Sequence, residues 1–442
     1  MRLAPGLSTG RLSWLTAIIA ITIALGLIAC QPAAPDASGP PESTPEPTAE
    51  GDNPQQTVAA TTNAPASGTP GVFADRVVFG QSAAFSGPAS QLGIGMNLGI
   101  AAAFAEANRN GGVQGRQLEL VTLDDTYEPE LAVINTTRLI AEDRVFALIG
   151  AVGTPTSRSA TPVALAAGVP YIAPFTGAAF LRDAESLPNV INMRASYNQE
   201  TEEMVQRLTT DLDLDRIAIM YQEDSFGRAG LNGALAALSK RGMEPAAVGL
   251  YPRNTTAVKT GLLDLKQGNP EGVILVGAYR PLAELIAWAR HIGVDWEFIN
   301  ISFVGSNALA EELGRLDPEH GAGVFVTQVV PFPHDDSTPV VAAYHRALVE
   351  YDPEAIPGFV SLEGYLAGRL AIAGLERCGQ NPDRECFLAG LRSSEPINLD
   401  GFELHYGEGD NQGSDTVFLT MIDEEGNYIP LDRLDERGRT GR

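Results

Sequence analysis

From Val77 onward, short apolar runs with strand character alternate with stretches whose apolar residues recur at helical spacing. The runs Val77 to Gly80, Leu118 to Leu123, Phe146 to Ile149 and Tyr171 to Ala173 are separated by helical patterns at Gly95 to Asn108, Leu131 to Glu142 and Ser157 to Ala167. The cycle restarts with Arg216 to Tyr221 and Val273 to Val276, set against helices at Gly227 to Arg241 and Leu282 to His291. Strands that are apolar along their whole length are buried on both faces. The alternation therefore predicts an α/β fold with parallel sheets covered by helices on either side. Two such series predict two doubly wound lobes. Further on lie an apolar run from Val324 to Val330 and helices at Val340 to Tyr351 and Leu362 to Arg377. In the tail, Phe402 to Tyr406 and Thr416 to Ile422 alternate with period two. Asp423-Glu-Glu-Gly426 then leads into Tyr428 to Pro430, which reads as an antiparallel hairpin.

The first 73 residues obey other rules. Arg2 and Arg11 precede an almost wholly apolar run from Leu12 to Leu27, and Ile28, Ala29 and Cys30 follow at once. This is the layout of a secretory signal, and Leu-Ile-Ala-Cys resembles a bacterial lipobox, in which cleavage exposes a cysteine that receives lipid. A plain transmembrane anchor is the competing reading, although the run is short of the roughly 18 residues that spanning requires. The expectation is a signal over residues 1–29 and an extracytoplasmic protein held at a membrane by lipid on Cys30. Residues 30–73, rich in Pro, Ala, Thr and Ser, have almost no bulky apolar side chain to offset the entropy of ordering. They read as an extended tether, with a glycosylated stalk as the alternative. The formal net charge of -25 excludes a nucleic-acid partner, which would need clustered Lys and Arg. Of three cysteines, Cys378 and Cys386 remain, eight residues apart across a Gly/Asn/Pro turn. Outside the cytoplasm they predict a disulfide closing a short loop between two helices. A metal site is the rival reading, without the CxxC spacing or nearby histidines that zinc needs.

Chemistry-bearing motifs are few. Gly93, Gly95 and Gly99 with Asp124 imitate a dinucleotide fingerprint, but the preceding strand ends near Gly80, too early for the tight turn that fingerprint requires. Close helix packing is the expected use of those glycines. No GxSxG elbow occurs, and His291, His320, His334, His345 and His405 have no triad-like or ligand-spaced partners. No catalysis, metal or cofactor is expected. Four strand-to-helix junctions stand out instead. Gly150 to Ser157 reads as a glycine loop with Thr154 as N-cap and Pro155 first in the helix, leaving the amides of Thr156 and Ser157 unpaired as an anion site, unless the helix start merely caps itself. Pro174 to Ala178, Tyr221 to Gly227 and Val276 to Pro281 likewise leave strands, and ligands of open α/β sheets bind at such ends. If the two lobes face each other, all four junctions line one cleft.

Phe85-Ser-Gly-Pro88, Gly150 to Thr156, GVPYIAPFTGA (Gly168 to Ala178), NMRASYNQE (Asn192 to Glu200), YQEDSFGRAG (Tyr221 to Gly230), VGAYRP (Val276 to Pro281) and SLEGYLAGRL (Ser361 to Leu370) together resemble, in order, the type I periplasmic binding proteins of ABC transporters, specifically the Leu/Ile/Val-binding family. The resemblance implies two lobes joined by three crossovers and closing over a small ligand: residues 74–195 with 328–395 as one lobe, 196–327 with 396–442 as the other. It places Gly153, Thr154 and Thr156 on a ligand carboxylate with Phe175, Thr176 and Gly177 beside it. It also puts Phe226 over the ligand from the second lobe, Tyr279 and Arg280 at its far end, and Leu92 and Tyr197 in the pocket lining. Leu/Ile/Val binders hold the α-ammonium with an acid after the first crossover. Here that stretch is Tyr197-Asn198-Gln199-Glu200, with neutral side chains nearest that position, and Arg280 adds a cation. A carboxylate without an amine, an amide or an aromatic acid fits as well as an amino acid. The expected function is capture of such a molecule by a monomeric, lipid-anchored protein and delivery to an ABC permease. A ligand sensor for a signalling receptor and an exported enzyme are the alternatives.

Overall fold

The structure, a computed structural model, describes residues 68–316 and 321–438. The signal segment, Cys30, the tether up to residue 67 and His320 lie outside the described residues. Order sets in before Phe73: Val72 is buried, and the Gly71 carbonyl accepts from the Val78 amide at 2.8 Å.

Two sheets organise the chain. The first contains β1 (Arg76–Ala83), β2 (Gln117–Asp124), β3 (Ala147–Ile149), β4 (Tyr171–Ile172) and β5 (Val190–Ile191), all parallel, in the order β2-β1-β3-β4-β5. Helices α1 (Ser90–Arg109), α2 (Pro129–Ala141) and α3 (Thr154–Ala166) connect its strands. After β5 the chain passes through α4 (Tyr197–Thr210) into the second sheet: β6 (Ile217–Glu223), α5 (Ser225–Lys240), β7 (Val248–Pro252), α6 (Lys259–Gln267), β8 (Gly272–Val276), α7 (Tyr279–His291), β9 (Glu297–Asn300), α8 (Ser306–Leu316) and β10 (Phe325–Gln328). It returns as α9 (Pro339–Tyr351), α10 (Phe359–Cys378) and α11 (Arg384–Leu391); α9 and α10 pack on α1, and α11 packs on α10. A hairpin of β11 (Ile397–Leu399) and β12 (Phe402–Leu404) follows. The last passage brings β13 (Phe418–Ile422) and β14 (Tyr428–Leu431) to the second sheet, whose order is β14-β13-β10-β9-β8-β6-β7. Its five earlier strands are parallel and the last two antiparallel, the second hairpin turning at Gly426 (φ 83). The chain thus leaves the first sheet after β5, returns after β10 to pack helices on α1, and comes back to the second sheet with β13.

The apolar runs form strands because they are buried on both faces; every residue of β8 is buried. Local signals fix the helix starts. Ser196 and Gln199 form a reciprocal capping box on α4, the Ser196 amide donating to Gln199 Oε1 at 2.7 Å. The Asp224 carboxylate caps α5 and Asp383 caps α11. Two glycines of α1, Gly95 and Gly99, serve helix packing on α10, as expected, while Gly93 packs on the backbone just after β1. A Cβ on Gly99 would lie 1.9 Å from the Ser361 carbonyl of α10, and one on Gly93 1.9 Å from the Ala84 carbonyl. Cys378 and Cys386 are disulfide-bonded, Cα atoms 5.8 Å apart, and join the end of α10 to the start of α11. Among the described residues no helix is long and apolar enough to cross a membrane.

Candidate functional site

The loop after β3 is shaped by two glycines at positive φ, Gly150 (62°) and Gly153 (103°). Gly153, not Thr154, is the N-cap of α3, so the helix begins one residue earlier than the sequence predicts. The Thr154 side chain is engaged elsewhere: its Oγ1 lies 2.7 Å from Thr176 Oγ1. The Ser157 amide donates to the Gly153 carbonyl at 3.1 Å and is therefore not available to a ligand. The amides without an intrahelical acceptor are those of Thr154 and Thr156, at the positive end of the helix. The Thr156 hydroxyl turns back to the Val152 and Gly153 carbonyls. Parallel pairing extends past β3 and β4, with Phe175 N donating to Ala151 O (2.8 Å) and Gly153 N to Phe175 O (3.2 Å), which sets the two loops side by side. Gly177 packs on Tyr197 so closely that a Cβ there would lie 2.5 Å from the ring.

The second lobe meets these loops through aromatic rings. Phe303, in the 3-10 turn Ser302–Val304 after β9, has its centroid 4.3 Å from Phe226, 5.3 Å from Phe175 and 6.1 Å from Tyr127. Tyr197 stands 5.4 Å from Phe226. All five rings are buried, and each contact adds about 0.5–1.5 kcal/mol to the burial itself. Tyr127 is aimed by an unusual turn. Thr126 and Tyr127 are both left-handed (φ 50 and 64), their amides accepted by Asp124 Oδ1 (2.9 Å) and Asp125 Oδ1 (3.0 Å). A Cβ on Gly153 would lie 2.3 Å from the Tyr127 ring, so glycine there serves both the backbone and this contact. The Tyr127 and Tyr197 hydroxyls are buried without hydrogen-bond partners. Gly305 (φ 80) admits Leu92 of the first lobe, whose Cδ2 would lie 2.5 Å from a Cβ, with Tyr279 beside it at 3.6 Å.

Arg280 departs from the expectation. Its guanidinium is half-exposed and pairs with Glu312 at 3.1 Å, because the first turn of α7 points it toward α8 and not into the cleft. The remaining expected positions, Leu92, Gly153, Thr154, Thr156, Phe175, Thr176, Gly177, Tyr197, Phe226 and Tyr279, lie at or beside the contact of the two lobes. Sequence reasoning missed Tyr127 and Phe303. It also missed Arg194 as a site residue.

Beneath the rings lies a buried ionic cluster. Arg194 lies 3.5 Å from Glu200 and 3.6 Å from Glu363, with its guanidinium carbon 4.9 Å from the Phe175 centroid. Glu200 accepts from the Ser302 amide (2.9 Å), the Ser302 hydroxyl (3.0 Å) and the Thr327 hydroxyl (2.7 Å). Its carboxylate is thus committed and not presented to a ligand ammonium. Burial pushes the Glu363 carboxyl up to about 7, against the pull of Arg194 and with the push of Glu200. Arg182 staples the loop above, donating to the carbonyls of Thr176, Ala178 and Arg194. Across the cleft mouth, Arg253 after β7 pairs with Glu128 before α2 at 2.6 Å, and Asn254 adds a bond at 2.7 Å.

Comparison with known proteins follows the same lines. A family model described as periplasmic binding protein matches residues 76–427. The chain is 38% identical to the crystal structure of a possible leucine/isoleucine/valine-binding protein from Rhodopirellula baltica, with a TM-score of 0.76 over 81% of this chain and 96% of that one. An amino acid binding protein from Pseudomonas aeruginosa is 23% identical over 361 residues, 80% of this chain and 92% of that protein. A Leu/Ile/Val-binding protein homolog from Brucella abortus is 29% identical over 204 residues, so this chain spans about half (50%) of that relative's length.

Proposed function

This chain belongs to the periplasmic binding protein family, and from that premise we propose that it is a lipid-anchored, extracytoplasmic monomer that captures a small carboxylate or amide between its lobes and delivers it to an ABC permease. Binding of a solute, not catalysis, is the property of the family. The observation that supports the ligand class is the polar arrangement at the contact of the lobes: the paired Thr154 and Thr176 hydroxyls and the start of α3 lie in loops packed on Tyr127 and Tyr197, whose buried hydroxyls have no partner. Hydroxyls and helix-start amides favour an anion. The five rings favour a flat or branched apolar body, and the committed Glu200 offers nothing to an ammonium group. Solute contacts to Phe175 on one lobe and to Phe226 and Phe303 on the other would hold the lobes shut, the form a permease distinguishes from the open one.

The test is mass spectrometry of the purified protein under native conditions, followed by calorimetry with the released solute. A carboxylate or amide is expected, and Thr154→Val together with Thr176→Val weakens it by about ten- to a hundredfold, the loss of one or two hydrogen bonds to a charged group. Tight binding of leucine that survives both substitutions refutes the assignment.

A further inference from the structure

Beside the aromatic contact, a groove of about 530 Å³ runs between the first lobe's α3 and 3-10 turn Ala179–Arg182 and the second lobe's α4 and α5. Arg158 of α3 and Arg228 of α5 line it from opposite lobes, with Phe180, Asn198, Ser225 and Asn232 between them and no acidic side chain in the lining. In a chain of formal net charge -25, such a place is unexpected. The Arg158 guanidinium carbon lies 4.3 Å from the Phe180 centroid. Stacking of that kind fixes the guanidinium plane and leaves its N–H edge free for a planar or tetrahedral oxyanion. Neither arginine forms an ion pair among the described residues. The Ser225 hydroxyl, in the same lining, is buried and has no hydrogen-bond partner. Asp224, next to Ser225 in the chain, is occupied as the α5 cap by the Phe226 and Gly227 amides and by the Gln222 carboxamide.

Two unpaired cations that approach as the lobes close repel one another, and an anion between them turns that repulsion into attraction on both sides. We propose that this groove binds a small inorganic oxyanion, of the sulfate or phosphate type, bridging Arg158 and Arg228, and that the bound anion holds the two lobes together. The groove shares Tyr197 with the aromatic contact of the lobes but is lined by neither Thr154 nor Thr176, and its two arginines take no part in the solute contacts proposed above.

The experiment is calorimetric titration of the purified protein with sodium sulfate, with sodium chloride at matched ionic strength as reference, alongside thermal unfolding. Saturable sulfate binding is expected. Arg158→Ala and Arg228→Ala each weaken it at least tenfold, because both ends of the bridge are needed, whereas Lys266→Ala, which removes an exposed charge on α6, leaves it unchanged. Sulfate is excluded from protein surfaces in general and raises melting temperatures without binding. A rise that does not saturate and is equal in all four proteins therefore overturns the proposal. So does sulfate binding that survives either arginine replacement. Loss of sulfate binding in Thr154→Val would place the anion in the solute cleft and overturn it as well, while leaving the solute reading intact.

Discussion

Glu363 sits in α10 with its carboxyl buried against Arg194, and burial holds that carboxyl up at about 7 from an ordinary 4.5. The folded protein therefore grips this proton more tightly than the unfolded chain does. The stabilisation from this group is fully present below the unfolded value and is lost as pH rises through the folded one. A shift of this size corresponds to about 3 kcal/mol in full, most of which falls between pH 5 and pH 8. Glu363→Gln keeps the shape of the protonated acid and cannot ionise, so it removes this dependence while leaving Glu200 and every other titrating group in place. Urea unfolding of wild type and variant at pH 5 and pH 8 gives the difference of differences. Wild type should lose about 2–3 kcal/mol relative to Glu363→Gln across that interval. An unchanged gap between the two proteins, or a wild type that gains on the variant as pH rises, refutes the reasoning. Subtracting the variant cancels titrating groups remote from Arg194; Glu200, which shares Arg194 with Glu363, titrates together with it, so the difference reports the coupled pair.

The crossing of α1 and α10 tests the packing argument. Gly99→Ala forces a methyl group against the Ser361 carbonyl and the Tyr365 amide, and should destabilise by about 1–3 kcal/mol or more in chemical denaturation, with α1 forced outward. Loss of the disulfide through Cys378→Ser frees a loop with a sequence separation of 8. On the loop-entropy relation it should cost about 2.5 kcal/mol, read as a lower urea midpoint that vanishes when both proteins are compared under reducing conditions.

What could be read from the sequence followed burial. The strands RIAIMY and GVILV are apolar throughout because helices cover both faces, and that pattern is unambiguous. β7 was not legible: Val248–Pro252 lies at the sheet edge, and only Gly249 and Tyr251 are buried. β4 and β5 are two residues each, below what any periodicity can register. α4 is polar over most of its length, and its start is marked by the Ser196–Gln199 capping box, a signal that was available. At the candidate site, the meeting of Thr154 and Thr176 was legible because both lie in loops at strand ends, where open α/β sheets place their ligands. Phe303 and Tyr127 carry no such mark. One sits in a 3-10 turn between β9 and α8, the other in an Asp-Asp-Thr-Tyr turn, and only the three-dimensional meeting of the lobes brings them to the same place. The signals that existed were Gly305 close behind Phe303 and the paired aspartates ahead of Tyr127.

β10 takes its antiparallel neighbour, β13, from some ninety residues downstream, after the chain has left for α9–α11 and come back. Until those final segments emerge, β10 presents an open row of amides and carbonyls, the kind of strand border along which chains associate wrongly. The second sheet is thus completed last, by β13 and β14. Premature termination between β12 and β13 would leave a nearly intact protein carrying one sticky, unfinished border.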